Sequence, residues 1–485
     1  MLHLTEVLLL SLVGSILTLL LKFSFLRQRP TLNFSIPFFK FNTANHDRTK
    51  TNTQKIQEIN TLADCHETAA RLSDLVRKDG AGSWPPRCNH VHSTWPAALR
   101  PYREIYNEMA PLLPAAHAST DDSVNLEIIT TFRARFRKLL DDKVDLDQVN
   151  SLLAAADAGR WDVFPRDTYN AFYACVAWCR HAYRWASIPV VRLAQREESL
   201  PLPRQLVLPW NKMQTHFSMA SDSGNNMSNL VLNFTPAGEY MYRINTGLSS
   251  EITSSEEEFS KIFFEVESLA MPIYHAMVQS IIAFARDDKV ACLGYVREIT
   301  NCLRPLLGAY YDRVHDSKIK RSVWLSRVQG FYAWGMTGEE RDVESQQKIR
   351  FDGLSGNQVL LFQALDAFLG LDPYLTREVL DRNVPGLQRG FCDSLLRHCF
   401  RGQLKNSAEK GGIDAEIQRE IGEIIKRLRV FRSAHRTRAK AYLSQPAPER
   451  MPMTAGKSLL QALDSGEGGM TALDEFMMKR LRQTV

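Results

Sequence analysis

The sequence predicts an all-α fold with two helical domains behind a single N-terminal membrane anchor. From about residue 55 onward, apolar residues recur at spacings of three and four, which is typical of amphipathic helices. Strand-like alternation is confined to residues 238–244. With 44% apolar and 24% charged residues, the composition is that of an ordinary globular protein and excludes disordered, collagen-like and polytopic membrane chains.

Residues 1–29 are the predicted transmembrane anchor. The run VLLLSLVGSILTLLL at 7–21, extended by apolar residues on both sides, approaches the ~20 residues needed to cross a bilayer. No Lys or Arg precedes the run, whereas Lys22, Arg27 and Arg29 follow it. The positive-inside rule therefore predicts a single-pass protein with its body in the cytosol, and we expect the endoplasmic reticulum to be its membrane.

The remaining chain divides into four predicted segments. A polar linker at 30–54 is followed by a small helical domain with an interdomain loop at 55–253, a large helical domain at 254–445 and a tail at 446–485. The proline-rich stretch at 187–253 separates the two helical domains. Helices are predicted at residues 56–76, 145–158, 168–186, 255–286, 290–311, 354–369 and 413–442.

Charge and cysteine content exclude two further classes of protein. The formal charge of +6 is small and dispersed, so we expect no nucleic-acid partner. The eight cysteines are widely spread and form no CxxC pair, which favours free thiols over a disulfide framework or a zinc site. Two close pairs, Cys179 with His181 and His90 with His92, are more typical of structural side chains than of metal ligands.

The common catalytic motifs are absent from the sequence, and the unusual feature is one histidine. The apolar stripe of the helix at 413–442 continues directly into His435, with Arg432, Arg436, Arg438 and Lys440 around it. One interpretation is a core histidine near a basic helix end, and periodicity alone favours it. The other is an axial ligand for haem iron, with guanidinium groups placed to bind the propionates.

Three segments after residue 350 carry a family resemblance. They are DGLSGNQVLLFQALDAFLG at 352–370, RNVPGLQRGFC at 382–392 and LRVFRSAHRTRAKAYL at 428–443. In this order and spacing the chain resembles the indoleamine 2,3-dioxygenase family. Residues 258–277 and 322–335 resemble the family's distal and second pocket helices, and 200–210 more weakly its proline-rich wall. The resemblance covers residues 168–445 and leaves the anchor, linker and tail outside.

The resemblance implies a haem b site and assigns roles to particular residues. His435 matches the proximal iron ligand, Arg432 the cation for a haem propionate and Asp366 a carboxylate near that arginine. Ser355 and Gly356 match a flexible loop over the distal face. The implied walls of the substrate pocket are Phe263, Trp324 and Leu208. Plainer alternatives are an ordinary core for the aromatic residues, a surface ion pair for Asp366 and Arg432, and a helix cap for Ser355.

The chain also departs from the family pattern. The arginine that would bind a substrate carboxylate falls on Gln329, with Arg327 two residues earlier, and a small distal serine falls on Glu267. We expect burial to raise the pKa of Glu267, or a cationic substrate amine to pair with it. Leu354 replaces a loop glycine, and Gln388 replaces a histidine of the proline element.

The resemblance implies a haem-dependent dioxygenase that inserts both atoms of O2 across the indole C2–C3 bond. Its partners would be a small aromatic substrate, O2 and an electron donor that keeps the iron ferrous. Two alternatives stay open. One is a monooxygenase acting on a modified indole or another small molecule of a biosynthetic pathway, and the other is a non-catalytic haem-binding protein.

Overall fold

The computed structural model describes residues 50–114, 119, 121–185, 201–328, 336–341, 348–351, 358–373, 375–408, 411–443, 477–479 and 481–484. Helices dominate this part of the chain, as predicted. Those of seven residues or more are α1 (Asn52–Leu62), α2 (Glu67–Lys78), α3 (Arg100–Met109), α4 (Asp122–Lys143), α5 (Leu146–Asp157), α6 (Arg166–Trp185), α7 (Arg204–His216), α8 (Ser250–Ser268), α9 (Met271–Ala285), α10 (Lys289–Arg313), α11 (Leu360–Phe368), α12 (Arg377–Asn383), α13 (Gly386–Arg397), α14 (Arg401–Ala408) and α15 (Ile413–Leu443).

Local sequence signals explain where several helices begin. Thr51 starts α1 with a reciprocal capping box to Gln54, within the last residues of the predicted linker. Asp145 and Asp288 cap α5 and α10 through their side-chain oxygens. Pro272 stands at the start of α9, so the predicted helix at 255–286 is two helices, α8 and α9. The predicted helix at 56–76 is likewise divided, into α1 and α2.

Helix α6 is the centre of the N-terminal half. Every residue from 168 to 184 is buried, so this helix is enclosed on all sides rather than amphipathic. Helices α3 and α7 pack against it. The histidines of this half have structural contacts, since the Nε2 atoms of His90 and His181 lie 2.9 Å from the carbonyl oxygens of Leu232 and Ser223. All eight cysteines are free thiols.

Helix α10 is the centre of the C-terminal half. It packs against α8, α9 and α15, while α11 packs on α13 and α14 on α15. The proline element joins this half to the loop after α7. Gly386 donates its backbone N–H to the Phe217 carbonyl at 2.8 Å, and the Arg389 guanidinium donates to the Ser218 and Val384 carbonyls at 3.0 and 2.5 Å. The described residues from Lys50 onward form one unit, and the predicted boundary at 253/254 stays a prediction.

Two short strands are the exception to the helical fold. Strands β1 (Met336–Arg341) and β2 (Lys348–Phe351) pair antiparallel with an irregular register. The strand predicted at 238–244 is an isolated bridge between Phe234 and Tyr240. Where the second pocket helix is expected at 322–335, the described residues are a short helix at Arg321–Val323 and a π-helical turn at Trp324–Val328, and residues 329–335 lie outside the described part.

One helical stretch in the described residues is long and apolar enough to cross a bilayer, Ser250–Ala285. It comprises α8 and α9, and 67% of its most apolar window is buried within the protein, as expected of core helices. The predicted anchor at residues 1–29 lies outside the described residues and remains a prediction.

Candidate functional site

The candidate site begins on α15, whose apolar stripe is buried as the sequence predicts. Its buried members are at most 2% exposed: Ile417, Ile421, Ile424 and Leu428. His435 continues the stripe two turns later. Its ring lies parallel to that of Phe431, with ring centres 6.0 Å apart, and meets Tyr310 of α10 edge to face at 5.7 Å. The imidazole therefore points into the protein, between α15 and α10.

The environment of His435 favours a neutral imidazole. Removal of the ring from water lowers the pKa of His435 to about 4. Its Nδ1 atom is buried and makes no hydrogen bond to the described residues. A neutral imidazole with an uncommitted nitrogen is the form that binds a metal ion. The Nδ1 atom of His90 is likewise buried without a hydrogen bond to the described residues, but its ring, like that of His181, has its Nε2 atom in a hydrogen bond.

An ion pair lies one turn before His435. The Arg432 guanidinium of α15 donates to the Asp366 carboxylate of α11, and the two side chains are only 9% and 6% exposed. The pair is thus buried, which rules out the plainer interpretation as a surface ion pair. A buried charge that loses its partner is strongly destabilising, so Arg432 and Asp366 are expected to stay paired. The Asp366 carboxylate thus holds the Arg432 guanidinium in place, one turn from His435.

Aromatic rings connect α11 to the same place. Phe362 stacks on Phe431, with ring centres 5.1 Å apart and planes 13° from parallel. Tyr310 contacts both rings edge to face, at 5.9 and 5.0 Å. Helix α11 therefore approaches the His435 region through two side chains, Phe362 and Asp366.

Not every cation predicted around His435 lies where a ligand would need it. Arg438 donates to the Tyr311 and Val314 carbonyls at the end of α10, and its guanidinium lies over the Tyr311 ring. It satisfies the exposed carbonyls of a helix end, which is a structural role. Arg432, by contrast, is held by Asp366 one turn before the histidine.

A second group of aromatic rings joins α8 to the end of α15. Phe263 and Phe259, one turn apart on α8, have ring centres 5.4 Å apart, and Phe259 lies 6.3 Å from Trp324. Trp324 in turn meets Tyr442 at 5.8 Å, two turns beyond His435 on α15. The structure therefore brings two of the predicted pocket walls, Phe263 and Trp324, into one aromatic series that reaches the His435 helix.

Trp324 begins the π-helical turn, an uncommon element that is frequent at functional sites. Asn245 holds this turn by donating its side-chain amide to the Arg327 carbonyl at 3.2 Å. The buried Glu256 carboxylate holds Asn245 in turn, at 2.8 Å from the amide. Gln329, Ser355 and Gly356 lie outside the described residues, and their predicted roles stay predictions.

Glu267 has a different place from the one expected. Its carboxylate accepts from the Trp84 indole and the Tyr274 hydroxyl at 2.9 Å each, and from the Leu361 backbone N–H at 3.3 Å. Burial raises its pKa, as expected, and these donors oppose the shift. Both oxygens are engaged by the protein, so the expectation that a substrate amine pairs with Glu267 is corrected to an internal role.

Leu208 also lies apart from the other predicted residues. It is half-buried on α7, which packs against α5 and α6. No comparable packing joins α7 to α8, α11 or α15 in the described part of the chain. The predicted pocket role of Leu208 therefore has no support from its surroundings.

The described residues fit a haem group. His435 offers a neutral imidazole with a buried, uncommitted nitrogen, Arg432 a cation that Asp366 holds in place, and the neighbouring rings an apolar surrounding. The family profile described as Indoleamine 2,3-dioxygenase matches residues 166–480, more than half of the chain. The chain belongs to the indoleamine 2,3-dioxygenase family. No single curated protein matches it.

The extent of the family match changes one expectation. It continues to residue 480, so the tail that was expected to lie outside the resemblance is largely part of the family segment. Residues 50–165 precede the match, yet Trp84 donates to Glu267 within it. The segment before the match is thus packed against the family segment, through Trp84 in the loop after α2 and through α1 on α9 and α2 on α13.

Several site residues were not predicted to act there. Phe431 was visible in the apolar stripe of α15, but nothing in the sequence indicated that Tyr310 or Phe362 would meet it. Asn245 holds the π-helical turn from 82 positions away along the chain, and Glu256 holds Asn245 from 11 positions away. Such pairings depend on tertiary packing and leave no local signal.

Proposed function

We propose that this member of the indoleamine 2,3-dioxygenase family is a haem-dependent dioxygenase acting on an indole or a related small aromatic compound. The observation that carries the proposal is the His435 imidazole, which is neutral and packed against Phe431 and Tyr310, one turn from the buried Arg432–Asp366 pair. Haem b bound here would supply the chemistry of dioxygen activation, which no protein side chain provides. An electron donor is needed to keep its iron ferrous.

The side chains around the site have separate tasks in this proposal. His435 supplies the axial nitrogen, and Arg432, held by Asp366, binds one propionate. The rings of Phe259, Phe263 and Trp324 give an apolar wall against which a flat aromatic substrate would pack, with water excluded. Glu267 takes no part in binding the substrate, because its oxygens accept hydrogen bonds from the protein.

Product analysis tests the proposal directly. The full chain is purified in detergent, loaded with haem, reduced, and given a panel of indoles with isotopically labelled O2. We expect a ring-opened product that carries both labelled oxygen atoms. A product with one labelled atom would replace the proposal with monooxygenation, and haem binding without any product would replace it with the non-catalytic alternative.

We also propose that the body is anchored to a membrane and faces the cytosol. The proposal rests on the apolar run at 7–21 and the three cations after it. Three glycosylation sequons begin at Asn33, Asn226 and Asn233, and we expect all three to stay unmodified in a eukaryotic host. Loss of mass on glycosidase treatment would contradict the orientation, and recovery of the whole chain in the soluble fraction would contradict the anchor.

A further inference from the structure

Glu267 lies on the same side of α8 as two pocket residues. Phe259, Phe263 and Glu267 follow one another at intervals of four, about one helical turn each. Phe259 contacts Trp324 at one end of this row, and Glu267 contacts the first turn of α11 at the other. The helix that carries the predicted distal aromatic residues is therefore bonded directly to the start of α11.

The contacts of Glu267 favour a carboxylate. An indole N–H, a phenol O–H and a backbone N–H all donate to it. A protonated carboxyl could direct its O–H only to the Tyr274 hydroxyl oxygen, because the indole and backbone N–H groups cannot accept a hydrogen bond. The negative charge also lies at the N-terminal end of α11, where the helix dipole favours it. A glutamine in this place would direct the N–H bonds of its side-chain amide toward groups that are themselves donors.

Helix α11 is the link between Glu267 and the candidate haem site. It has nine residues, with Glu267 bound at Leu361 near its start, Phe362 stacked on Phe431, and Asp366 paired with Arg432. Phe431 is in turn the parallel neighbour of the His435 ring. Because α11 is short and is held at its first turn, a displacement of that turn would move both of the contacts that α11 makes with α15.

We propose that Glu267 is a positioning residue that fixes α11 between α8 and α15 and thereby sets the orientation of the His435 ring and the Arg432 guanidinium. The inference rests on the proposed function, because it assigns to Glu267 an effect on the bond between His435 and haem iron. It also gives the loop after α2 a role in the site, since Trp84 precedes the family segment.

The test compares two glutamates of α8 in the full, haem-loaded chain. Glu267→Gln keeps the volume of the side chain and removes its charge. The matched control is Glu265→Gln, since Glu265 lies two residues earlier on the same helix and pairs with Arg313 instead. The readouts are the iron–histidine stretching band of the ferrous protein by resonance Raman and the hydrogen exchange of the α11 amides.

We expect Glu267→Gln to shift or broaden the iron–histidine band and to speed exchange in α11 about tenfold, as for the loss of one or two hydrogen bonds. Glu265→Gln should leave both readouts as in the wild type. An unchanged iron–histidine band in Glu267→Gln overturns the inference, even if the variant is less stable. A wild type that takes up no haem and shows no such band would contradict the proposed function instead.

Two further variants keep the test decisive if Glu267→Gln does not fold. Trp84→Phe and Tyr274→Phe each remove one donor to Glu267 and leave an aromatic ring in place. We expect each to move the iron–histidine band in the same direction. If both variants fold with the wild-type band, Glu267 does not position the site.

Discussion

His435→Ala is expected to fold and to lose its haem. On the same side of α15, Phe431 precedes the histidine and Ala439 follows it, and neither offers a metal ligand. Loss of a partner that merely orients a ligand typically costs a factor of about 10–100 in metal affinity, so loss of the ligand itself should exceed a hundredfold. Haem content by absorbance and titration of the reduced protein measure the effect.

Added imidazole separates loss of the ligand from loss of the fold. The shortened side chain leaves a cavity beside Phe431 and Tyr310 that matches the missing ring. We therefore expect free imidazole to restore haem binding to His435→Ala. His398→Ala is the matched control, because His398 pairs with Glu67 near the surface and should retain haem. Wild-type haem content and an unchanged absorbance spectrum in His435→Ala would refute the ligand assignment.

The neighbouring ion pair calls for a different choice of variants. Arg432→Ala would leave the Asp366 carboxylate buried without its guanidinium, which destabilises the fold as well as the site. Combining it with Asp366→Asn removes the uncompensated charge. Haem loss that persists in the stable double variant would then reflect the lost cation rather than unfolding.

The main helices could be predicted because their apolar residues follow the helical period. Helix α15 shows a regular stripe from Ile417 to Leu428, and the structure buries every member of it. Helix α4 is as regular in the structure, but its buried side is a narrow line of apolar residues with charged residues on both sides. The buried line includes Ile129, Phe132, Phe136 and Leu140. Such a weak pattern did not stand out in the sequence.

The candidate site was predictable only in part. The apolar stripe predicts the placement of His435, and the family resemblance implies its role as the iron ligand. Glu267 was misjudged because its partners are remote in sequence: Trp84 lies 183 positions away and Leu361 94. From α8 alone, a carboxylate beside Phe263 resembles a pocket residue. The donors that satisfy it become visible only when three separate segments meet.

Free L-tryptophan is expected to be a poor substrate compared with tryptamine or indole. The resemblance puts Gln329 where a guanidinium would bind the substrate carboxylate, and a carboxamide supplies no positive charge. Loss of a charge-assisted contact costs about 1.5–3 kcal/mol, or roughly ten- to a hundredfold in binding. Steady-state kinetics with the three compounds should show this as a lower kcat/KM for L-tryptophan.

Variants of Gln329 and Arg327 decide which of the two positions supplies the positive charge that binds a substrate carboxylate. Gln329→Arg should raise kcat/KM for L-tryptophan about tenfold or more and leave that for indole unchanged, because indole has no carboxylate to bind. Arg327→Gln is the matched control, since Asn245 holds residue 327 through its backbone carbonyl, a contact that this substitution keeps. Three results together would identify Arg327 as the group that binds the carboxylate. They are efficient use of L-tryptophan by the wild type, no gain from Gln329→Arg, and loss of the activity in Arg327→Gln. The chain would in that case cleave free tryptophan, because the positive charge needed for its carboxylate is supplied two residues earlier than the resemblance implies.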